Sequence, residues 1–326
     1  MNPFQYATAG SPDEAVSLIG KNGRYLGGGI DLLGEMKDYI VTPDVLVDVK
    51  NIAVSAPPER IPVGATEEAT QYLHANMTVA DIASDPTIKS ALPGLCEAAS
   101  EVGSPQIRNV ATVAGNLLQH SRCWYYRQPD IVCLKRGGST CNGADGENKY
   151  LSLFSGCACI SPVVSNLSVI LTALNAEVWV KRHDNIGTMT MTELYHEAWR
   201  NPHAHNSLAP HDFLSGVRVP LNRTRSAYRQ VSEKSEFDWA LVSCAAAGNV
   251  TDGRLTDARV VLGAVAPVPY MVEAANDYLE GKPLTDEHAS HAADIILKDA
   301  KPLAHNGYKV PLAHTLIRRT LLALNP

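Results

Sequence analysis

Cysteine clustering constrains this chain more than any other feature of its sequence. Five of the seven cysteines fall within residues 115–160, and the other two stand alone in apolar surroundings. Thiols gathered this closely are typical of metal ligands, a disulfide framework or a redox centre. The segment is rich in Gly, Asn, Lys and Arg without a sustained apolar period. We therefore predict a long functional loop, which carries Cys123, Cys133, Cys141, Cys157 and Cys159.

The spacing of these cysteines bears on what they bind. Nine residues separate Cys123 from Cys133, and seven separate Cys133 from Cys141. Structural zinc sites usually pair thiols two to four residues apart, and that pairing is missing. Four thiolates from an irregular loop hold an iron–sulfur cluster, which would give the loop a geometry that packing cannot supply. We favour the cluster, with a zinc site and disulfides or unbound thiols as the alternatives.

Composition narrows the class of protein. The chain has 326 residues, enough for two or three domains, and its net charge of −6 with no long basic run argues against a nucleic-acid partner. No apolar stretch approaches the roughly 20 residues of a membrane span. The N-terminus lacks the basic-then-apolar pattern of a signal peptide, so we expect a cytoplasmic protein with mostly reduced cysteines.

Two glycine-containing turns precede predicted helices. Residues 24–26 predict a strand that enters Gly27-Gly28-Gly29, and a helix follows with Asp31 near its start. The second turn, Thr112–Asn116, directly precedes the cysteine loop. A glycine turn between a strand and a helix offers backbone N–H groups to phosphate. The first turn is not GxGxxG, so a nicotinamide-type fingerprint is poorly supported, and each turn alone is also explained as a structural turn.

Further elements follow from local patterns. Residues 67–75 predict a helix, residues 213–221 a strand, and Asp252-Gly253 a hairpin turn. Five histidines lie within the polar residues 183–211, and for His203 and His205 we favour a solvated loop over a metal site.

Three segments, LGGGIDLL (26–33), ATVAGNLL (111–118) and LGAVAPVP (262–269), resemble in that order the FAD-binding medium subunit of molybdenum hydroxylases, the xanthine dehydrogenase and carbon monoxide dehydrogenase family. The resemblance covers essentially the whole chain. It implies an α+β fold of the vanillyl-alcohol-oxidase type, in which a small N-terminal βαβ domain and a larger α/β domain clamp FAD beneath a C-terminal α+β domain. The implied domains are residues 1–56, 57–221 and 222–326.

The same resemblance implies which residues contact FAD. The two glycine turns would embrace the pyrophosphate and ribose. Asn166 would stand where the family usually has an acidic residue at the adenosine end. Arg229 would lie at the flavin N1/C2 edge or be a surface charge, and Trp239 would pack near the isoalloxazine or in the core. The implied set is Leu26, Gly27, Gly28, Gly29, Ile30, Asp31, Leu32, Thr112, Gly115, Asn116, Asn166, Leu214, Arg229 and Trp239.

The cysteine loop, residues 119–160, resembles an insertion found in one subgroup of this family. The phrases RCWYYR, CLKRGG and GENKY look like those of the 4-hydroxybenzoyl-CoA reductase flavoprotein subunit and periplasmic aldehyde oxidoreductase, where the insertion binds a [4Fe–4S] cluster. The resemblance implies Cys123, Cys133, Cys141 and Cys159 as ligands. Cys157 is the competitor for the fourth position.

The resemblance therefore implies an electron-transfer subunit that holds FAD and a [4Fe–4S] cluster. Its expected partners are a large subunit with the molybdenum cofactor and a small subunit with two [2Fe–2S] clusters, in a heterotrimer. The expected location is the cytoplasm, with export to the periplasm on a partner's signal as the alternative. The complex would act on an aldehyde, a purine, an N-heterocycle or an aroyl-CoA and deliver electrons to an external acceptor. A self-sufficient flavin oxidoreductase, a zinc-stabilised binding module and a structural subunit with a vestigial flavin pocket remain as alternatives.

Overall fold

Three separate β-sheets are found among the residues that the structure describes. The computed structural model describes residues 1–52, 69–183, 185–234 and 237–325. The expected boundary between residues 56 and 57 lies outside them. Among the described helices, none is both long and apolar enough to cross a membrane. The arrangement is a mixed α/β fold.

The first sheet is parallel, with strand order β1-β3-β2. A parallel pair needs a crossover connection, and a helix provides each one here. The loop from β2 into α2 leaves the carboxyl end of its strand, the usual ligand-binding edge of a parallel sheet. The elements are β1 (Gln5–Thr8), α1 (Pro12–Leu18), β2 (Gly23–Leu26), α2 (Leu32–Lys37) and β3 (Val45–Asp48).

The middle sheet has strand order β4-β7-β5-β6, and every pair in it is antiparallel. This corrects the expected α/β middle domain, since that class is built on parallel strands. The elements are β4 (Thr70–His74), α3 (Val79–Ser84), α4 (Pro86–Ala91), α5 (Pro93–Ser100), α6 (Pro105–Arg108), α7 (Val113–Leu117), α8 (Trp124–Arg127), a 3-10 turn (Leu134–Arg136), α9 (Asn166–Ala173), β5 (Glu177–Lys181), β6 (Ile186–Thr190), α10 (Met191–Arg200) and β7 (Phe213–Pro220).

The prediction of a helix at residues 67–75 is wrong for the part of this segment that the structure describes, residues 69–75. Thr70–His74 forms strand β4, which pairs residue by residue with β7. The local sequence suits a helix, but pairing with a strand some 140 residues later satisfies the backbone instead. Tertiary context of this kind routinely overrides helix propensity.

The third sheet is antiparallel, with the order β11-β10-β9-β8 and β12 paired to β10. The predicted hairpin turn is confirmed, because Asp252 (φ 52°) and Gly253 (φ 72°) connect β9 to β10 in the left-handed conformation that such turns require. The elements are β8 (Arg225–Val231), β9 (Val242–Thr251), β10 (Arg254–Gly263), β11 (Tyr270–Met271), α11 (Glu273–Leu279), β12 (Lys282–Pro283), α12 (Asp286–Leu297) and α13 (Lys309–Leu322).

The cysteine loop packs against the third sheet, and this packing fixes part of the loop's conformation. The expectation that packing could not fix it is therefore wrong for this part of the loop. Leu153 and Phe154 are buried in the hydrophobic core of that sheet. The Phe154 ring stacks on Tyr270 with 4.0 Å between centroids. Asn306 donates to the carbonyls of Leu151 and Ser152, both at 3.1 Å. The C-terminal region therefore holds the end of the loop in place.

Lys309 reinforces this anchor from a fully buried position at the start of α13. Its Nζ donates to the carbonyls of Tyr150 (3.0 Å) and Ala264 (2.9 Å). Burial lowers the pKa of Lys309 to about 7. A neutral amine carries two N–H donors, which matches the two carbonyl acceptors.

We expect the stability of the chain relative to a Lys309→Met variant to depend on pH. The folded-state pKa lies below the unfolded value of about 10.4, so the unfolded state binds more protons between these values and the stability of the wild type rises with pH there. From pH 7 to pH 9 the wild type should gain about 2 kcal/mol over the variant. Denaturant unfolding at both pH values measures this. Lys298 is exposed, so Lys298→Met is the control. If the wild type gains the same stability over Lys298→Met between these pH values, the effect comes from the loss of any positive charge and not from the burial of Lys309.

Candidate cofactor site

A cavity of about 500 Å³ lies beside the two glycine turns. This volume is in the range of small-molecule and cofactor sites. Its wall combines residues of the first sheet's loops, the α6–α7 region and the segment before β7. Of the expected FAD contacts, those that line it are Gly27, Gly28, Gly29, Ile30, Asp31, Leu32, Thr112, Gly115, Asn116, Leu214 and Trp239.

The two glycine turns touch each other across this wall. A Cβ on Gly28 would stand 2.0 Å from the carbonyl oxygen of Val110, so only glycine permits the approach. Thr112 begins α7 as its N-cap, and its Oγ1 accepts from the backbone N–H of Gly115 at 3.1 Å. Two segments that are 80 residues apart in sequence thus form one continuous backbone surface.

Asn116 lines the cavity and also holds two helices together. Its Oδ1 accepts from Ser165 Oγ at 2.8 Å and from the backbone N–H of Leu167 at 3.3 Å. It therefore connects α7 to the start of α9. The side chain is buried, with 6% of its surface exposed.

Three of the expected contacts do not line the cavity. Leu26 ends strand β2 behind the turn. Asn166 is buried and donates from Nδ2 to Gln230 Oε1 at 2.8 Å. Arg229 is exposed on β8, which agrees with the alternative of a surface strand charge. Trp239 does line the cavity, half-exposed, with the Arg122 guanidinium 4.5 Å from its ring centre.

A cluster of ionisable groups that the sequence interpretation missed lines the same cavity. Asp31, Glu35 and His120 place one ligand atom each within 4.8 Å of the others. Asp31 also accepts from Arg122 (3.0 Å) and Arg127 (2.6 Å). Burial opposes ionisation of Asp31, but the two guanidinium groups outweigh it, so its pKa lies below the usual value. Positive charge is already supplied here, which disfavours a divalent cation.

The i, i+4 spacing of Asp31 and Glu35 was the available signal for this cluster, because it puts both carboxylates on one face of α2. Nothing in the sequence brings His120 to them. The solvated-loop interpretation is wrong for His205, which lines the cavity and stacks on His120 with 4.1 Å between ring centroids. Its neighbour His203 is exposed, as expected.

Arg122 has an unused donor beside the cavity. Its Nε is buried and has no hydrogen-bond partner within the described ranges. A buried donor without an acceptor is costly, so a small shift of this side chain that brings Nε to an anionic or carbonyl group in the cavity would be favourable. This donor and the glycine turns fit a cofactor that carries phosphates and carbonyl oxygens, as FAD does.

A second, smaller cavity is lined by four thiols: Cys123, Cys133, Cys141 and Cys159. Cys157 does not line it, and its Sγ lies 3.8 Å from the Cys159 carbonyl oxygen. All seven cysteines are free thiols, which does not favour the disulfide alternative. The four thiols that the resemblance implies are therefore the four that share a cavity.

The thiol cavity is poorly solvated. Burial raises the pKa of Cys123 to about 11 and also raises that of Cys159. Lys135 lies in the same wall and is buried. Thiols in such a site stay protonated unless a metal displaces the proton, so metal binding here would release protons.

One short segment separates the two cavities. Gln119, His120 and Arg122 line the larger cavity, whereas Ser121 and Cys123 line the thiol cavity. Neighbouring residues in this segment are only about 3.8 Å apart at Cα. Groups bound in the two cavities would therefore be close neighbours.

Comparison with known proteins supports an FAD site. Residues 2–222 match the family described as FAD binding domain in molybdopterin dehydrogenase, and residues 226–324 match CO dehydrogenase flavoprotein C-terminal domain. The chain is 30% identical to the aldehyde oxidoreductase FAD-binding subunit PaoB of Escherichia coli K12, over 99% of this chain and 98% of that protein. It is 27% identical to the carbon monoxide dehydrogenase medium chain of Hydrogenophaga pseudoflava, over 98% and 96%.

Solved structures share the fold. The carbon monoxide dehydrogenase of Hydrogenophaga pseudoflava that lacks the Mo-pyranopterin moiety matches with a TM-score of 0.74 at 24% identity, over 99% of this chain and 98% of that one. Quinoline 2-oxidoreductase from Pseudomonas putida 86 matches with a TM-score of 0.72 at 20% identity, over 99% and 97%. At these identities the likeness concerns the fold alone.

Proposed function

We propose that this chain, which belongs to the family of FAD-binding subunits of molybdenum hydroxylases, binds a [4Fe–4S] cluster beside its FAD and transfers electrons between partner [2Fe–2S] clusters and an external acceptor. The family makes it an oxidoreductase subunit. The observation that carries the proposal is the thin wall between the flavin cavity and the four-thiol cavity.

The thiol geometry supports a cluster over a single zinc ion. Zinc binds sulfur at about 2.3 Å in a tetrahedron, which brings the thiolates to within roughly 4 Å of one another. Among the described residues, no three cysteine Sγ atoms lie within 4.8 Å of one another. A cluster of several iron and sulfide ions is larger and holds its four thiolates further apart. Cys123, Cys133, Cys141 and Cys159 are the proposed ligands.

We propose that the two glycine turns hold the FAD pyrophosphate and ribose, with Arg122 donating to a phosphate or carbonyl oxygen. Leu214 and Trp239, which also line the cavity, would contact the cofactor as well. Asn166 and Arg229 remain proposed contacts that need movement towards it. FAD, when bound, converts between one-electron centres and a two-electron acceptor. This chain's own residues position the cofactor and exclude water from the wall that it shares with the cluster.

The three sheets correspond, in this proposal, to domains 1–56, 57–221 and 222–326, the first two clamping FAD. A large subunit with the molybdenum cofactor and a small [2Fe–2S] subunit would complete a heterotrimer. The relatives' names mention aldehyde, carbon monoxide and nicotine, so substrate choice belongs to another chain. An aldehyde is the first substrate class to try, with purines, N-heterocycles and aroyl-CoA next.

The chain purified anaerobically should contain one FAD and about four iron and four acid-labile sulfide ions. Flavin absorbance, iron analysis and sulfide analysis measure this. FAD without iron would leave the family membership intact and refute the cluster. Zinc in place of iron and sulfide would establish the zinc alternative.

Electron transfer has its own test in the complete complex. Removing FAD from the complex should leave reduction of the partner [2Fe–2S] clusters by an aldehyde intact and abolish delivery to an external acceptor. Rapid mixing followed by electron paramagnetic resonance separates the two steps. Acceptor reduction at an unchanged rate without FAD would contradict the proposed role.

A further inference from the structure

We propose that Arg127 positions the cysteine loop against the first glycine turn, and that FAD and the cluster thereby strengthen each other's binding. The inference rests on the proposed function, which places FAD in the larger cavity and a [4Fe–4S] cluster among the thiols. It assigns a role to a group of ion pairs between the two cavities that neither cofactor explains by itself.

The Arg127 side chain connects two segments that lie 96 residues apart in sequence. Its Nη2 donates to Asp31 Oδ1 at 2.6 Å, and its Nε donates to the carbonyl oxygen of Ser121 at 2.7 Å. The same Nη2 lies 3.6 Å from Glu35 Oε1. The side chain is only 16% exposed, so salt and water screen these contacts less than they would at an open surface. One planar guanidinium therefore joins the start of α2 to the segment between the two cavities.

Asp31 is the residue through which the first glycine turn meets this segment. It is the N-cap residue of α2, a helix that the structure describes in full, yet its side chain makes no capping hydrogen bond there. Its Oδ2 instead accepts from the backbone N–H of His120 at 2.7 Å, and its Oδ1 accepts from Arg122 at 3.0 Å. Asp31 follows Gly29 by two residues. A displacement of residues 120–127 would therefore displace the glycine turn as well.

Ser121 continues the connection from Arg127 to the thiols. Its Oγ accepts from the backbone N–H of Cys123 at 3.1 Å and hydrogen-bonds the Ser161 hydroxyl. Both serines are 6% exposed and line the thiol cavity. The backbone N–H of Arg127 donates to the Cys123 carbonyl at 3.0 Å, and Cys159 precedes Ser161 by two residues. A cluster bound to Cys123 and Cys159 would therefore fix both ends of this hydrogen-bonded path.

The pyrophosphate proposed at the glycine turns makes this connection important for FAD. Asp31 and Glu35 already bring negative charge to the cavity wall, and Arg122 and Arg127 offset it. The His120 ring contacts Glu35, at 3.0 Å. A pyrophosphate adds further negative charge. Loss of either guanidinium from Asp31 would therefore increase the repulsion between that carboxylate and the cofactor.

Each cofactor should consequently favour the binding of the other. A cluster orders residues 121–127 and holds the Arg127 guanidinium at Asp31, which raises the affinity of the cavity for FAD. Coupling between two binding equilibria is reciprocal, so FAD tightens cluster binding by the same factor. Such couplings typically span roughly 5-fold to 150-fold, and we expect about tenfold for this one.

The test measures the FAD affinity of the full chain with and without its cluster. An iron chelator removes the cluster from one half of a flavin-free sample, the thiols are reduced again, and both halves are titrated with FAD by fluorescence. In the wild type the Kd for FAD should be about tenfold lower in the half that keeps the cluster. In Arg127→Met the ratio of the two Kd values should fall to about one. Iron release to the chelator should be slower with FAD bound than without it in the wild type, and equally fast in both states of Arg127→Met.

A second variant approaches the same contact from the other side. Asp31→Asn removes a carboxylate that faces the pyrophosphate, so FAD should bind more tightly to its cluster-free form than to that of the wild type. The ratio of Kd values should nevertheless fall to about one, because the ion pair with Arg127 is lost. A residue that merely stabilises the fold would weaken FAD binding in both forms and leave the ratio unchanged.

Arg136→Met is the matched control. Arg136 lies in the same loop and donates to carbonyl groups within that loop. Its replacement removes the same charge from the loop as Arg127→Met does and leaves the contact with Asp31 intact. The ratio of Kd values should therefore stay near tenfold.

The outcomes separate this inference from the proposed function. FAD and iron in the wild type with a ratio near one would refute the coupling and leave the proposed function intact. FAD without iron would refute the cluster and the coupling together. A ratio near tenfold in Arg127→Met would overturn the role of Arg127. Where Arg127→Met takes up no iron, Asp31→Asn decides by the same ratio.

Discussion

Replacing Gly28 by alanine should weaken FAD binding so far that the purified chain no longer contains FAD. The added Cβ would stand 2.0 Å from the Val110 carbonyl oxygen and 2.7 Å from its carbon, both backbone atoms that cannot rotate away. The two glycine turns would have to separate, and the cavity wall would open with them. Overpacking typically costs 1–3 kcal/mol and occasionally more, so we expect FAD affinity to fall roughly a hundredfold or further. FAD per chain after desalting, and a fluorescence titration with FAD, measure the loss.

Gly34→Ala is the matched control for this variant. Gly34 lies within α2, six residues further along, and a Cβ there meets no atom within 4 Å. Alanine inside a helix should stabilise the chain by roughly 0.5–1 kcal/mol and leave FAD content unchanged. Wild-type FAD affinity in Gly28→Ala would show that the contact between the turns does not shape the flavin site.

Replacing Cys159 by serine should remove the cluster and leave the flavin. Cys159 is buried in the wall of the thiol cavity, and serine there offers a poorer iron ligand in the same volume. We expect iron and sulfide to fall from about four each per chain to nearly none. The FAD content should persist, since Cys159 does not line the flavin cavity. Iron and sulfide analysis on anaerobically purified protein, with the visible absorbance of the cluster, gives the result.

Cys157→Ser is the control that discriminates between the two candidates for the fourth ligand. Cys157 lies two residues away and outside the cavity wall, so its replacement should leave iron and sulfide near four. Loss of the cluster in Cys157→Ser with retention in Cys159→Ser would reverse the assignment. Loss in both would show that the loop rearranges around the cluster.

Local sequence predicted the features that depend on local backbone conformation. Asp252-Gly253 predicted its hairpin because few other residue pairs adopt two consecutive left-handed conformations. The strand before Gly27 and the helix after Asp31 followed from the glycine triplet and the apolar pattern. The 67–75 prediction failed because pairing with β7 decided that segment.

The sequence alone could not predict which of two neighbouring cysteines lines the thiol cavity. Cys157 and Cys159 are separated by one residue, and spacing alone leaves both as candidates. In the structure the Ser155 hydroxyl lies within hydrogen-bond distance of both carbonyl oxygens (2.8 and 2.9 Å), and of the two thiols only that of Cys159 lines the cavity. The assignment of Cys159 as the fourth ligand stays a prediction.

By itself the sequence determined the two glycine turns, the gathering of five cysteines and the alternation of helices and strands, because each depends on neighbouring residues. Only the tertiary structure decided which distant groups meet. His120 reaches Glu35 across 85 residues, and Lys309 reaches the Tyr150 carbonyl across 159. Such contacts arise when separately formed sheets pack together, and buried surface, rather than local backbone preference, selects that packing.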